Sequence, residues 1–64
     1  MIVWRIPRKK ARIELRAEGW LVVIRSASYS FNTLPECFCF LAGRRIIDIE
    51  AIPFLLQKTR ERFQ

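Results

Sequence analysis

Residues 12–25, RIELRAEGWLVVIR, read as a β-hairpin that the rest of the chain is arranged to cover. Ile13, Leu15 and Ala17 alternate with Arg12, Glu14, Arg16 and Glu18, the period-2 pattern of a strand with one wet face. Gly19 supplies the positive φ that a tight turn needs. Trp20, Leu21, Val22, Val23 and Ile24 follow as a β-branched and aromatic run. With Glu18 and Gly19 as the loop, Ala17 faces Trp20, Leu15 faces Val22 and Ile13 faces Ile24. All six fall on one side, and a slip of one residue would break that match. The other side carries Arg12, Glu14, Arg16, Leu21, Val23 and Arg25. Two readings stand for Leu21 and Val23: they lie under a loop or neighbouring strand, or they belong to a contact surface framed by arginine.

Upstream, residues 1–6 (MIVWRI) read as a short strand, with Ile2, Trp4 and Ile6 on one side and Val3 and Arg5 on the other. Pro7 is expected to end it, because proline cannot donate to a ladder. Arg8, Lys9 and Lys10 then form a basic loop, and the first twelve residues hold five positive charges and no negative one. Such a loop is either a solvated turn or a phosphate contact.

Downstream, the apolar residues change from even to odd positions at Ala27, Tyr29 and Phe31. A β-bulge near Arg25 and Ser26 would reconcile the two halves; alternatively the strand ends there. Residues 32–36, NTLPE, have loop chemistry, with Leu34 biased to an extended conformation by Pro35. Residues 37–50 read as a second hairpin turning at Gly43-Arg44. Phe38, Phe40, Ile47 and Ile49 would form its core face, with Arg44 and Arg45 at the tip, open to a partner. The chain closes with a helix that has Pro53 in its first turn. Ile52, Leu55, Leu56, Thr59 and Phe63 share one face; Gln57, Lys58, Arg60, Glu61, Arg62 and Gln64 share the wet one. The expected class is mainly β within α+β. It comprises about five antiparallel strands, in a twisted sheet or small open barrel, capped by one C-terminal helix, as a single domain.

The chain has 64 residues, of which 52% are hydrophobic. A chain this short buries only about 60% of the surface its unfolded form exposes. So much apolar material for so little interior points to self-association or a protein complex. The net charge is +6, with nine arginines among twelve basic residues. That balance suits nucleic acid, an acidic protein surface or anionic lipid.

Cys37 and Cys39 are the only cysteines and there is no histidine. On a strand, i and i+2 point the same way and a disulfide between them would be strained. Too few ligands remain for a metal site, so two reduced thiols in a reducing, cytoplasmic setting are expected. No apolar run approaches the roughly 20 residues a membrane helix requires, and residues 1–6 are too short for a secretory apolar region. No base stands ready beside a nucleophile, no carboxylate spacing marks an acid–base pair, and Gly19 and Gly43 are isolated. Tyr29 and Arg25 would be the candidates for histidine-free RNA cleavage.

The sequence therefore points to a small non-enzymatic basic module without cofactor or metal. Arg8, Lys9, Lys10, Arg44 and Arg45 would bind phosphates, while Leu21 and Val23, framed by Arg12, Arg16 and Arg25, would rest on a groove or on splayed bases. The alternative is a phage- or mobile-element-type inhibitor or adaptor that binds a host protein complex, given the Arg, Trp, Phe and Tyr typical of interface hot spots.

Overall fold

The hairpin forms, with its turn one residue earlier than Gly19 led us to expect. In the computed structural model, which describes residues 2–6 and 8–62, strand β2 (Ala11–Arg16) pairs with β3 (Gly19–Ile24). Arg16 lies opposite Gly19, Leu15 opposite Trp20, Ile13 opposite Val22 and Ala11 opposite Ile24. Ala17 and Glu18 are the loop, and Gly19 opens β3 with φ of 126°. A Cβ there would lie 3.4 Å from the Phe31 carbonyl oxygen on a backbone that L residues avoid. The register differs from the expected one by two residues, one full side-chain period, so no residue changes face.

The parity change after Ile24 marks a third strand pair. β3 ends at Ile24, Arg25 and Ser26 turn, and β4 (Ala27–Phe31) returns beside it. Trp20 pairs with Phe31, Val22 with Tyr29 and Ile24 with Ala27. A two-residue loop places even positions opposite odd ones, so the bulge is unnecessary. The turn has no glycine to announce it; Arg25 itself takes the left-handed conformation, with φ of 56°. β1 (Ile2–Arg5) pairs with β2 on the other side, and the strand order is β1-β2-β3-β4. The expected strand end at Pro7 lies outside the described residues. The sheet stays open, with β1 and β4 as its edges.

Cross-strand rows separate the two faces. Trp4, Ile13, Val22 and Tyr29 form one inner row; Leu15, Trp20 and Phe31 form another. The outer rows are Val3, Glu14, Leu21, Ser30 and Arg5, Arg12, Val23, Ser28.

The expected second hairpin is instead helical. α1 spans Leu34–Gly43. Thr33 caps it in a reciprocal box with Glu36: the Glu36 N–H donates to Thr33 Oγ1 at 3.4 Å, and Glu36 Oε2 accepts from the Thr33 N–H at 3.1 Å. This T-x-x-E pattern, with Pro35 in the first turn, marks a helix start rather than a loop. Leu34, Cys37, Phe38 and Leu41, the buried residues of α1, repeat at the 0, 3, 4, 7 spacing of one helical face. Gly43-Arg44 is not a hairpin turn but the helix end. The Arg45 N–H donates to the Ala42 carbonyl and the Ile46 N–H to the Leu41 carbonyl, both at 3.0 Å, while Arg45 adopts φ of 59°. That is a Schellman cap with arginine at the position glycine usually fills.

A 3-10 turn (Ile49–Ala51) follows, capped by Asp48, whose carboxylate accepts from the Glu50 N–H at 3.1 Å. α2 (Ile52–Arg62) is the expected helix. Ile52, Leu55 and Leu56 pack on the core, and the buried Thr59 hydroxyl donates to the Leu55 carbonyl at 2.7 Å. Phe63 and Gln64 of the expected faces lie outside the described residues.

Among the described residues the fold is thus α+β with four strands and two α-helices, rather than five strands and one helix. α1 lies on the inner face, where Ile13, Val22, Cys37, Phe38 and Leu41 lose all solvent contact. Trp4 and Phe38 meet edge to face at 5.8 Å between ring centroids, and Phe40 packs on Tyr29 and Phe31 at 4.6 and 5.2 Å. Of the expected core residues Phe38, Phe40, Ile47 and Ile49, only Phe38 is fully buried, and Ile49 is 70% exposed.

Two substitutions test this architecture by urea unfolding. Phe38→Ala should cost about 3–5 kcal/mol, because it empties the contact between helix and sheet. Gly43→Ala should stabilise by about 0.5–1 kcal/mol, since a Cβ there meets open space within the last helical turn. A loss on Gly43→Ala would contradict the helix end described here.

Candidate functional site

The helices of the core cluster pack against inner-face residues, so the outer face of the sheet is left to its own side chains. Leu21 and Val23 lie there, outside the core cluster, beside Glu14, Arg12, Ser28 and Ser30. Val23 is only 5% exposed and Leu21 is half-buried, so they form a low apolar floor between taller neighbours. Neither belongs to the core cluster that the helices pack against.

Glu14 organises this face. It is 2% exposed and accepts from Nε of Arg12; Nε and Nη2 of Arg16 grip it from the other side at 2.7 and 2.6 Å. The three residues alternate along β2, so their side chains share the outer face. The Arg12 hydrogen bond holds the Glu14 carboxyl below its ordinary value of 4.5, against the opposing effect of its burial and with further help from Arg16. Glu14 therefore fixes two partly exposed guanidinium groups in place on the sheet.

Arg5 was not singled out from sequence, yet the register sets it directly opposite Arg12. Like charges facing each other across an antiparallel pair destabilise a sheet. Arg5 is exposed and has no carboxylate partner among the described residues.

At one end of the sheet the loops converge. Arg8, Lys9 and Lys10, all exposed, connect β1 to β2, and Arg25 turns β3 into β4. The Arg25 N–H donates to the Lys10 carbonyl at 2.7 Å, tying the two loops together. Arg8 and Arg25 both adopt left-handed backbone, at φ of 63° and 56°. A hollow of about 540 Å³ opens here, lined by Arg5, Arg8, Lys9, Lys10, Arg12 and Arg25 with no carboxylate.

The fold thus gathers Arg8, Lys9, Lys10, Arg12 and Arg25 from the expected set and adds Arg5. Arg16 stands toward the opposite end of β2 but joins the face through Glu14. Arg44 and Arg45 are not at a hairpin tip. Arg45 belongs to the α1 cap, and Arg44 donates to the Tyr29 hydroxyl at 2.8 Å. Tyr29 also lies on the helix-covered side of the sheet, so its hydroxyl serves Arg44. Ser28 and Ser30, also overlooked, are exposed on the outer side of β4. The sign that could have found Ser28 and Ser30 is their parity, once both turns are read as two-residue loops, whereas Arg5 joins them only through the register of β1 on β2.

The cysteines lie on a helix, where i and i+2 diverge. Cys37 is buried, its thiol pushed up to about 12 chiefly by that burial, and its Sγ reaches the Thr33 carbonyl at 3.5 Å. Cys39 is exposed. Among the described residues no three of Cys, Asp and Glu gather as metal ligands, and no helix is long and apolar enough to cross a membrane. Compared with protein-family models, curated proteins and solved structures, the chain matches none.

The lowered Glu14 carboxyl gives a signed pH prediction. Its stabilising contribution is present above the unfolded value and is lost as pH falls through the lower folded one. Unfolding free energy should therefore drop on acidification below about 4.5, and Glu14→Gln should flatten that drop. Equal acid sensitivity in both proteins, by urea titration, would mean that the carboxylate is not held as described.

Proposed function

We propose that this chain is a non-enzymatic nucleic-acid-binding module that uses the outer face of its sheet and the basic loops at one end. The observation that carries the reading is an uncovered, positively charged sheet face. The carboxylate buried in it, Glu14, is already consumed by Arg12 and Arg16. A phosphate backbone along β1 and β2 would neutralise the opposed Arg5 and Arg12 and find Arg8, Lys9 and Lys10 beyond them. Leu21 and Val23 would lie under sugars or bases, with the Ser28 and Ser30 hydroxyls as hydrogen-bond donors.

The test is fluorescence anisotropy with labelled duplex and single-stranded oligonucleotides across a salt series. Affinity should fall steeply with salt, and Arg5→Gln or Arg12→Gln should each lower the log–log slope by roughly 1. Arg5→Gln carries a second expectation: it removes a cross-strand repulsion, so stability should hold or rise while affinity falls. A salt slope unchanged by both substitutions would remove the sheet face from the interface.

A second reading has its own observation. Phe54 and Ile49 are 61% and 70% exposed on the helical side, Phe54 with the Lys58 ammonium 5.4 Å from its ring centre. A protein-binding inhibitor or adaptor, or a homo-oligomer, would use that side. Its association would weaken far less with salt, and Phe54→Ala would abolish it without changing oligonucleotide binding.

A further inference from the structure

The basic loop has a second flank. Behind Arg8, Lys9 and Lys10, on the helical side, lies another hollow of about 450 Å³, lined also by Arg25, Arg44, Ala11, Ile24 and Ile46. Five cations line it and no carboxylate does. What distinguishes it from a generally basic surface is Arg44. Its guanidinium carbon sits 5.3 Å from the Tyr29 ring centre and 5.2 Å from that of Phe40, and its Nη2 donates to the Tyr29 hydroxyl at 2.8 Å. An arginine held this way loses little side-chain entropy on meeting a ligand, and its remaining N–H groups keep a fixed planar geometry.

The opposite wall is constrained along its backbone. Arg25 is locked to Lys10 through the backbone, and Arg8 and Arg25 are held in the left-handed region although neither is glycine. Such conformations are unfavourable for arginine and collect at ligand sites. The half-buried Ile24 and Ile46 supply apolar surface within the same hollow.

We propose that this cleft, between the β1–β2 loop and the C-terminal end of α1, is a phosphate-binding site that shares the cations of the basic loops with the outer-face hollow and is set apart by Arg44. It takes a phosphate group of the bound nucleic acid, with Arg44 as its fixed donor and Lys9, Lys10 and Arg25 closing around it. The identity of the ligand rests on the nucleic-acid reading; the existence of the site does not. The phosphate has two possible sources, a backbone diester or a terminal monoester. The shared chemistry is a tetrahedral oxyanion matched to a planar guanidinium.

The first arm of the test titrates inorganic phosphate into isotope-labelled protein by NMR, against chloride of equal ionic strength. The backbone amides of Lys9, Lys10 and Arg25 and the Arg44 Nε–H should shift together. Arg44→Gln, an exposed change, should weaken phosphate binding by roughly tenfold, the loss of one charge-assisted contact. Tyr29→Phe keeps the ring and removes the hydroxyl that holds Arg44, so it should weaken binding less. No phosphate-specific shift in the folded wild type, or equal affinity in Arg44→Gln, would overturn the proposal.

The second arm compares oligonucleotides with a 5′-phosphate or a 5′-hydroxyl. A preference for the 5′-phosphate that disappears in Arg44→Gln assigns the site to a terminal monoester. Equal binding of both, weakened alike by Arg44→Gln, assigns it to a diester. Oligonucleotides that bind wild type and Arg44→Gln equally would overturn the assignment. If inorganic phosphate binds at Arg44 but no oligonucleotide binds at all, the nucleic-acid reading fails and the phosphate site stands.

Discussion

The packing of α1 on the sheet is the contact on which the rest of this structure depends. Phe38, Cys37 and Leu41 enter the inner face against Ile13 and Val22, and all five are sealed from solvent. A four-stranded meander of this length has two faces and too little material to close on itself. Once α1 occupies one face, with α2 packed behind it, the other is committed to solvent or to a partner. The asymmetry of the molecule, apolar within and cationic without, follows from that choice.

Electrostatics then shape the open side. A row of arginines on a sheet repels itself, and among the described residues ion pairing relieves this at one point. Glu14 holds Arg12 and Arg16, while Arg5 and the loop cations Arg8, Lys9 and Lys10 face no carboxylate within the hollow they line. Where local rules are broken without an evident internal compensation, the compensation is sought in function. Among the described residues the three non-glycine positions with positive φ, Arg8, Arg25 and Arg45, are all arginines at turns or caps. Two of them border the basic hollows at the same end of the sheet.

Two features are legible in the sequence, and two are ambiguous in it for definite reasons. The period-2 runs of β2 and β3 and the 3.6-residue pattern of α2 each have one dominant period. Residues 34–43 do not: Phe38 and Phe40 match a strand, whereas Leu34, Cys37, Phe38 and Leu41 match a helix. A short, nearly continuous apolar run satisfies both templates. The Thr33–Glu36 capping box separates them, because only a helix start leaves the N–H groups that those side chains satisfy. The turn at Arg25-Ser26 lacked any glycine, so its only trace was the switch of parity between Ile24 and Ala27.

Local sequence by itself determined the antiparallel pairing of β2 with β3, the charge, the identity of the outward residues on those two strands, and the amphipathic last helix. These depend on alternation and on side-chain chemistry within a few residues, which the chain carries directly. Tertiary structure decided which cations meet. Arg5 and Arg12 are seven residues apart and become neighbours only through register, and Arg44 reaches Tyr29 fifteen residues away only because α1 folds back over the sheet. Contacts between distant residues depend on how elements pack, and no local period encodes that. The candidate site is built almost wholly from such contacts.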